Sequence, residues 1–479
     1  MPYRPKMTLL SPEAEKSVIQ QALAILENVG VLFEGGSAIS LLKEEGLELR
    51  ADGRISLPPD LVQKSLKTAP KSVSLYDRDG QLTCVVGDDQ VNFDPGSSAL
   101  YILDPTTQEA RLPVTDDYVR YAQVTSQLDH IAVQSTAFVC SDVPQNEGDW
   151  YRLYLSLKHC HKPVVTGTFR KESFEKMKEL LVVVRGSEEE LVEKPLAIFD
   201  ACPSPPLKWS DLTSQSLVDA AKAGIPSELV AMPMLGASAP ASIFGAVVQH
   251  TAENMAGVVL TQLAKPVSPV IWGGAPTSFD MRSGTSPMAA VEAMMVECAY
   301  TQVGKCLNLP THGYMALSDA KTLDAQAGLE SGIGGVLAGL VGTNMVSGPG
   351  MLDNVAVFST EKLVVDNEIC GMVQRFLRGV EEYPEFSTEE ILANYTGQLL
   401  SHPSTRKLYR KEFYFPSPVI DRNTRDVWQR TGKSLGERAT DLVGKLVKKE
   451  EPIPLDSFRK EELDQLKKHF SNSSSITNP

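Results

Sequence analysis

Eight short apolar runs divide the chain between residues 91 and 346: Val91 to Asp94, Ile131 to Phe138, Val164 to Thr168, Leu196 to Asp200, Leu229 to Met232, Val270 to Trp272, Cys306 to Pro310 and Thr343 to Val346. Each gives way to loop residues and then to a helical spacing of apolar positions. Helix starts are signalled by Thr115-Asp116-Asp117, Glu172-Ser173 and Ser286-Pro287, and helix ends by Gly186, Gly224 and Gly304. Eight strand-helix units in about 260 residues predict an α/β fold, a (β/α)8 TIM barrel. A doubly wound parallel sheet has the same linear pattern, since closure leaves no mark in a sequence.

The stretch from Gly304 to Leu352 is the most informative single unit. It reads as a buried strand (Cys306 to Pro310), a polar loop with His312, Tyr314, Asp319 and Asp324, a Gly/Ala-rich helix, and a second buried strand ending in Ser347-Gly348-Pro349-Gly350. Gly328, Gly332, Gly334, Gly335 and Gly339 fall within that one helix. Each costs a helix up to about 1 kcal/mol relative to alanine, so close backbone packing or a ligand should compensate.

The flanks differ in pattern. Residues 1–90 read as an α+β cap or oligomerisation element. Ser11-Pro12-Glu13 starts a helix whose apolar face runs to Val29, another begins at Pro59, and strands are separated by Asp79-Gly80. The barrel is assigned to residues 91–380, its last helix beginning near Ser359. Residues 381–479 read as a polar helical extension, with helices near Thr388 to Leu400 and Asp426 to Leu446 and a frayed SNSSSITNP end. That extension suits a lid, a partner surface or a dimer contact.

Bulk properties narrow the class. The formal charge of −14 argues against nucleic-acid and anionic-membrane partners and is compatible with a cationic ligand. Seven cysteines without paired spacing predict a reduced compartment. The N-terminus lacks an apolar signal core and no run reaches the ~18 residues of a membrane span, so a cytoplasmic location is expected. Walker A, GxGxxG, HExxH and GxSxG signatures are missing.

Barrel enzymes carry their chemistry at the C-terminal strand ends. Taken literally, that rim holds Phe93 and Asp94, Ser141 and Asp142, Phe169 and Arg170, Asp200, Met234, Trp272 to Gly274, His312 to Tyr314, and Ser347. Trp272, followed by two glycines that admit a ligand to the backbone, stands out; a core-capping role is its alternative. Aromatic faces at a barrel mouth suit a quaternary ammonium group, at roughly 0.5 to 2 kcal/mol per contact. His312 has the chemistry of a base, a metal ligand or a donor to a carboxylate, with a satisfied core or loop histidine as the alternative. Arg170 and Arg282 follow strands three and six and offer bidentate carboxylate binding, with a surface role as the alternative. Glu330 is placed to orient the His312 loop, with a solvated or capping role as the alternative. His159-Cys160-His161 lies on the wrong rim for a metal centre, and no metal is assigned.

DAQAGLE (324–330), LAGLVGTNMVSGPGML (337–352) and LVVDNE (363–368) resemble the trimethylamine methyltransferase family. So do TAENMAGVVLTQLAKPVSPVIWGGAP (251–276), TGTF (166–169), NFDPGSS (92–98) and the N-terminal LSPEAEKSVIQQALAILENVGV. The resemblance covers most of the chain. It implies a (β/α)8 barrel that moves a methyl group from a methylated amine to the cobalt of a partner corrinoid protein. The archaeal trimethylamine enzymes of that family contain pyrrolysine, whereas this chain has standard residues alone, and members without pyrrolysine resemble quaternary-amine demethylases. Glycine betaine is therefore the expected donor, with proline betaine, carnitine or γ-butyrobetaine as close alternatives. Trp272, Phe93 and Tyr314 are expected to cage the ammonium, His312 and Arg282 to hold the carboxylate, and Glu330 to orient the loop; no catalytic residue is assigned. The cobamide should stay on its partner, with no tightly bound cofactor, and the chain is expected to be a homo-oligomer. A non-catalytic betaine-binding protein and a metal-dependent barrel lyase are the rivals.

Overall fold

The computed structural model describes residues 3–393, 398–449 and 452–476. Its centre is a parallel barrel, whose strands are named in chain order. They are β1 (Asn92–Asp94), β2 (Gln134–Ser135), β3 (Val164–Thr166), β4 (Ala197–Ala201), β5 (Ser227–Ala231), β6 (Val270–Gly274), β7 (His312–Gly313) and β8 (Met345–Ser347). β2 to β6 pair in sequence, all parallel. The Trp272↔Thr311 bridge joins β6 to β7, and β7 pairs β8, which pairs β1. Closure comes from Ala132 N donating to Phe93 O (2.9 Å) and the parallel Ala99↔Phe138 bridge. The doubly wound alternative is thereby excluded.

Each strand feeds one principal helix: α1 (Thr115–Thr125), α2 (Gly148–His159), α3 (Ser173–Arg185), α4 (Asp211–Ala223), α5 (Ile243–Ala264), α6 (Val291–Cys306), α7 (Ala325–Val341) and α8 (Thr360–Leu377). Local chemistry sets their ends. Ser210, Ser242, Asp324 and Ser359 cap helix N-termini through their side chains, and Gly224 and Gly342 close α4 and α7 in the left-handed conformation. The glycines of α7 divide by face. Gly334, Gly335 and Gly339 lie where an added Cβ would meet Ala316, α8 or both, whereas Gly328 and Gly332 face open space. Close packing therefore accounts for the inner set.

Two strand boundaries differ from the sequence expectation, and both matter for the site. Cys306 is the last residue of α6, and the seventh strand is His312–Gly313, so His312 lies on the strand rather than in the loop after it. The fifth strand begins at Ser227, which brings Glu228 into the barrel wall. An apolar run marks where a strand is buried on both faces; it does not mark where the wall turns polar toward the lumen.

The N-terminal elements complete the barrel. The hairpin of Ser72–Tyr76 and Leu82–Gly87 sends Val73, Leu75, Cys84 and Val86 against Val133, Val165, Ile198, Ile271 and Met345, closing the N-terminal end of the lumen with apolar side chains. Helices Pro12–Asn28 and Pro59–Thr68 pack on α5, and Val31–Phe33 pairs with Lys208–Trp209 beyond β4. On the other side, Leu435–Leu446 packs on α8 and α1, and Ser457–Ile476 on α2 and α3. The expected Asp426 to Leu446 helix is two, broken at Gly432, which is left-handed. Thr388–Ala393 is helical; the rest of the expected helix falls partly on residues 394–397, outside the described residues. Of the SNSSSITNP end, residues through Ile476 are helical and 477–479 lie outside the described residues. No described helix is long and apolar enough to cross a membrane.

Candidate functional site

Strand alternation decides which residues meet the lumen. On β1, Asp94 points in and Phe93 out; on β6, Gly273 faces in and Trp272 out. Phe93 is fully buried in the cluster that holds Tyr118, Tyr121 and Val346, between sheet and helices. Trp272 is likewise fully buried, its Nε1 donating to Tyr300 O (3.1 Å) and its ring lying against Gly304 of α6. Neither forms part of an ammonium cage, which corrects that expectation. Arg282 is corrected as well. Its side chain is 90% exposed and makes a bidentate pair with Asp280 (3.0 and 2.8 Å), a local turn contact. Arg170 is also exposed.

The lumen above the apolar plug is polar. Ser347 donates to Asp94 Oδ1 (2.6 Å), and its Oγ is hydrogen-bonded to His312 Nε2 (3.0 Å). His312 Nδ1 is buried without a hydrogen-bond partner and faces Gly273. An added Cβ at Gly273 would lie 2.5 Å from Nδ1, so only glycine leaves room for the ring there. Glu228 Oε1 lies 3.2 Å from His312 Nε2, and both residues are fully buried. Asp200, on the adjacent β4, opens onto the cavity above.

Burial governs the charge states in this cluster. Desolvation lowers His312 to about 3, so the ring is neutral at physiological pH. It raises Asp94 and, reinforced by Asp200 and Asp94, raises Glu228 well above the ordinary carboxyl range. Asp200 is pushed up to about 7 by burial, against the opposing pull of the neighbouring Glu228 and Arg152. Burial holds the Asp200–Glu228 pair and Asp94 above the ordinary carboxyl range, and His312 with Glu228 is a neutral contact rather than an ion pair.

Over this cluster sits a cavity of about 680 Å3 at the C-terminal mouth. Tyr314, Phe169, Asp200, Met232, Met234 and Met288 line it, with Ser97, Thr213 and Val355. Tyr314 hydroxyl is 2.9 Å from Ser97 Oγ, and its ring stands edge-on to His312 at 5.3 Å. Val355 belongs to a left-handed trio, Asp353, Asn354 and Val355, in the turn over the mouth. Glu330 accepts from Ser318 Oγ (2.5 Å) and Asp319 N (2.8 Å), and so braces the loop between β7 and α7. Asp319 in turn accepts from Met288 N and Ala289 N. Of the six residues singled out in the sequence, Tyr314 lines the cavity, His312 lies directly beneath it and Glu330 braces its wall.

Glu228 escaped sequence reasoning, and Asp94, Asp200 and Ser347 were seen at the rim without a role. A usable signal existed: an acidic residue inside an otherwise apolar strand, as in Ala197–Ala201, has to face a lumen or a ligand. Among the described residues no group of three or more His, Cys, Asp or Glu side chains is arranged to hold a metal ion.

A closed (β/α)8 barrel with a polar lumen beneath a C-terminal cavity has the architecture of a barrel enzyme. Residues 2–471 match the family described as trimethylamine methyltransferase (MTTB), and the chain belongs to it; it is a methyltransferase. It is 29% identical to a glycine betaine methyltransferase of Desulfitobacterium hafniense over 91% of both chains. It is also 29% identical to the trimethylamine methyltransferase MttB of Methanosarcina thermophila, over 94% of this chain and 95% of that one. In fold it is similar to the monomethylamine methyltransferase MtmB of Methanosarcina barkeri, with a TM-score of 0.50, 11% identity, and coverage of 92% and 89%.

Proposed function

We propose that this chain transfers a methyl group from a quaternary amine to the Co(I) of a corrinoid carried by a separate partner protein. The observation that supports it most directly is the cavity itself, which sets one ionisable carboxyl, Asp200, among methionine and aromatic side chains at a barrel mouth. A methylated ammonium needs that combination: a balancing negative charge and polarisable walls against its methyl groups. Glycine betaine, proline betaine, carnitine and γ-butyrobetaine are the candidate donors that the family resemblance implies.

The chemistry balances without further reactants. The methyl carbon leaves nitrogen, the C–N electron pair stays on the amine as a neutral tertiary product, and the electron pair of the Co(I) acceptor forms the new bond to carbon, leaving Co(III). The protein has to align the methyl with the acceptor and exclude water. Because positive charge on nitrogen disperses in the transition state, a strong ion pair in the ground state would slow transfer. A buried carboxyl raised by desolvation carries less negative charge at neutral pH than a free carboxylate, which limits ground-state pairing with the cation.

Anaerobic incubation of the chain with Co(I) cobalamin and single amines, followed by visible spectroscopy, tests the function. Methylcobalamin should appear with a quaternary amine and not with trimethylamine. Silence with free cobalamin and with corrinoid proteins alike would reject it.

A further inference from the structure

The charge lining the cavity is acidic, and this bears on the rest of the donor molecule. Among the described residues that line it, Asp200 is the one charged side chain. Behind it Glu228 and Asp94 are fully buried. Asp94 Oδ2 is buried without a hydrogen-bond partner, and the Asp200 and Glu228 carboxyls share a hydrogen bond with each other rather than with a cation. The nearby cation, Arg152, lies behind the lining and not on it, with Nε buried and unpartnered. Its guanidinium donates to Thr136 O (2.9 Å), Ser98 Oγ (3.3 Å) and Gly167 O (3.4 Å), and the Phe169 ring covers it at 4.3 Å. Arg282 is bound to Asp280 at the surface, and His312 is a neutral ring with Nε2 against Ser347.

We propose that the donor held here is a cationic amine without a carboxylate, of the choline or tetraalkylammonium kind. This rests on the methyl-transfer function proposed above and narrows its substrate class. In a betaine the carboxylate lies only a few bonds from nitrogen, so an ammonium placed beside Asp200 would bring that carboxylate into the same acidic lining. A hydroxyl or alkyl arm meets no such opposition. Ser97 and Thr213 offer hydroxyl partners, and Met232, Met234 and Val355 offer apolar surface.

Calorimetry on the full chain at neutral pH, with choline, tetramethylammonium, glycine betaine and γ-butyrobetaine as separate titrants, tests the assignment beside the methylcobalamin assay. Choline or tetramethylammonium should bind about tenfold more tightly than either betaine. Asp200→Asn should weaken that binding about tenfold and narrow the gap to the betaines. Glycine betaine binding as well as choline would overturn the inference, and methylcobalamin formed from it would leave the methyl-transfer function standing. Selective choline binding without methyl transfer to any corrinoid would uphold the ligand class and reject the transfer. Absence of binding by all four would overturn the inference.

Discussion

Asp200 is the residue through which pH should act on this protein. It faces Glu228, Asp94, Tyr314 and Cys202, with Arg152 as the one nearby cation, and burial raises it to about 7. A carboxyl raised on folding contributes stability that is fully present below its unfolded value and is lost as pH rises through the folded one. Thermal stability should therefore fall from roughly pH 4 to pH 7, with Glu253, also raised to about 7, adding to the same window. Binding has the opposite sign. An ionised Asp200 attracts a cation, so affinity for a quaternary ammonium should rise from roughly pH 6 to pH 8, and Asp200→Asn should flatten the binding curve. A pH-independent affinity in the unmodified protein would remove Asp200 from the site. Trp272 behaves differently. With its ring packed on α6, Trp272→Ala should cost about 3 to 5 kcal/mol in denaturant unfolding and leave ligand affinity of the folded protein unchanged.

Elements set the site by how closely they approach. β6 passes beside β7 with Gly273 against the His312 ring, and Leu229 O lies 2.8 Å from where a Cβ would stand. Gly273→Ala must push the imidazole or the backbone aside. A stability cost of about 1 to 3 kcal/mol is expected, together with at least about a tenfold loss of methyl transfer, read as turnover against melting temperature. Normal turnover would show that His312 tolerates displacement. The hairpin beneath is a separate matter. Leu75 is fully buried in the plug, so Leu75→Ala should destabilise by about 2 to 5 kcal/mol while leaving turnover at low temperature intact, because the plug lies below the polar layer.

At the scale of the molecule, the first ninety residues are not a detachable unit. They supply the plug, cover α5 and share one hydrophobic cluster with Trp209, Leu229 and Trp272. A fragment beginning at residue 91 should fail to give a cooperative thermal transition by circular dichroism; a sharply melting fragment would show that the barrel closes without its plug. The order of strands and helices, their number, the capping residues and the acidic, cysteine-poor character were all legible in the chain, because periodicity and end chemistry are local properties. The family likeness was legible too, in stretches such as DAQAGLE. The direction of each side chain was not. Phe93 and Asp94 are neighbours in sequence, yet a one-residue step reverses the face of the sheet, so one enters the core and the other the lumen. Glu228, Asp200, His312 and Asp94 come from four strands more than twenty residues apart, and their mutual desolvation exists only once the barrel closes. Local pattern determined what would fold; closure of the sheet decided which residues meet, and with them the charge of the site.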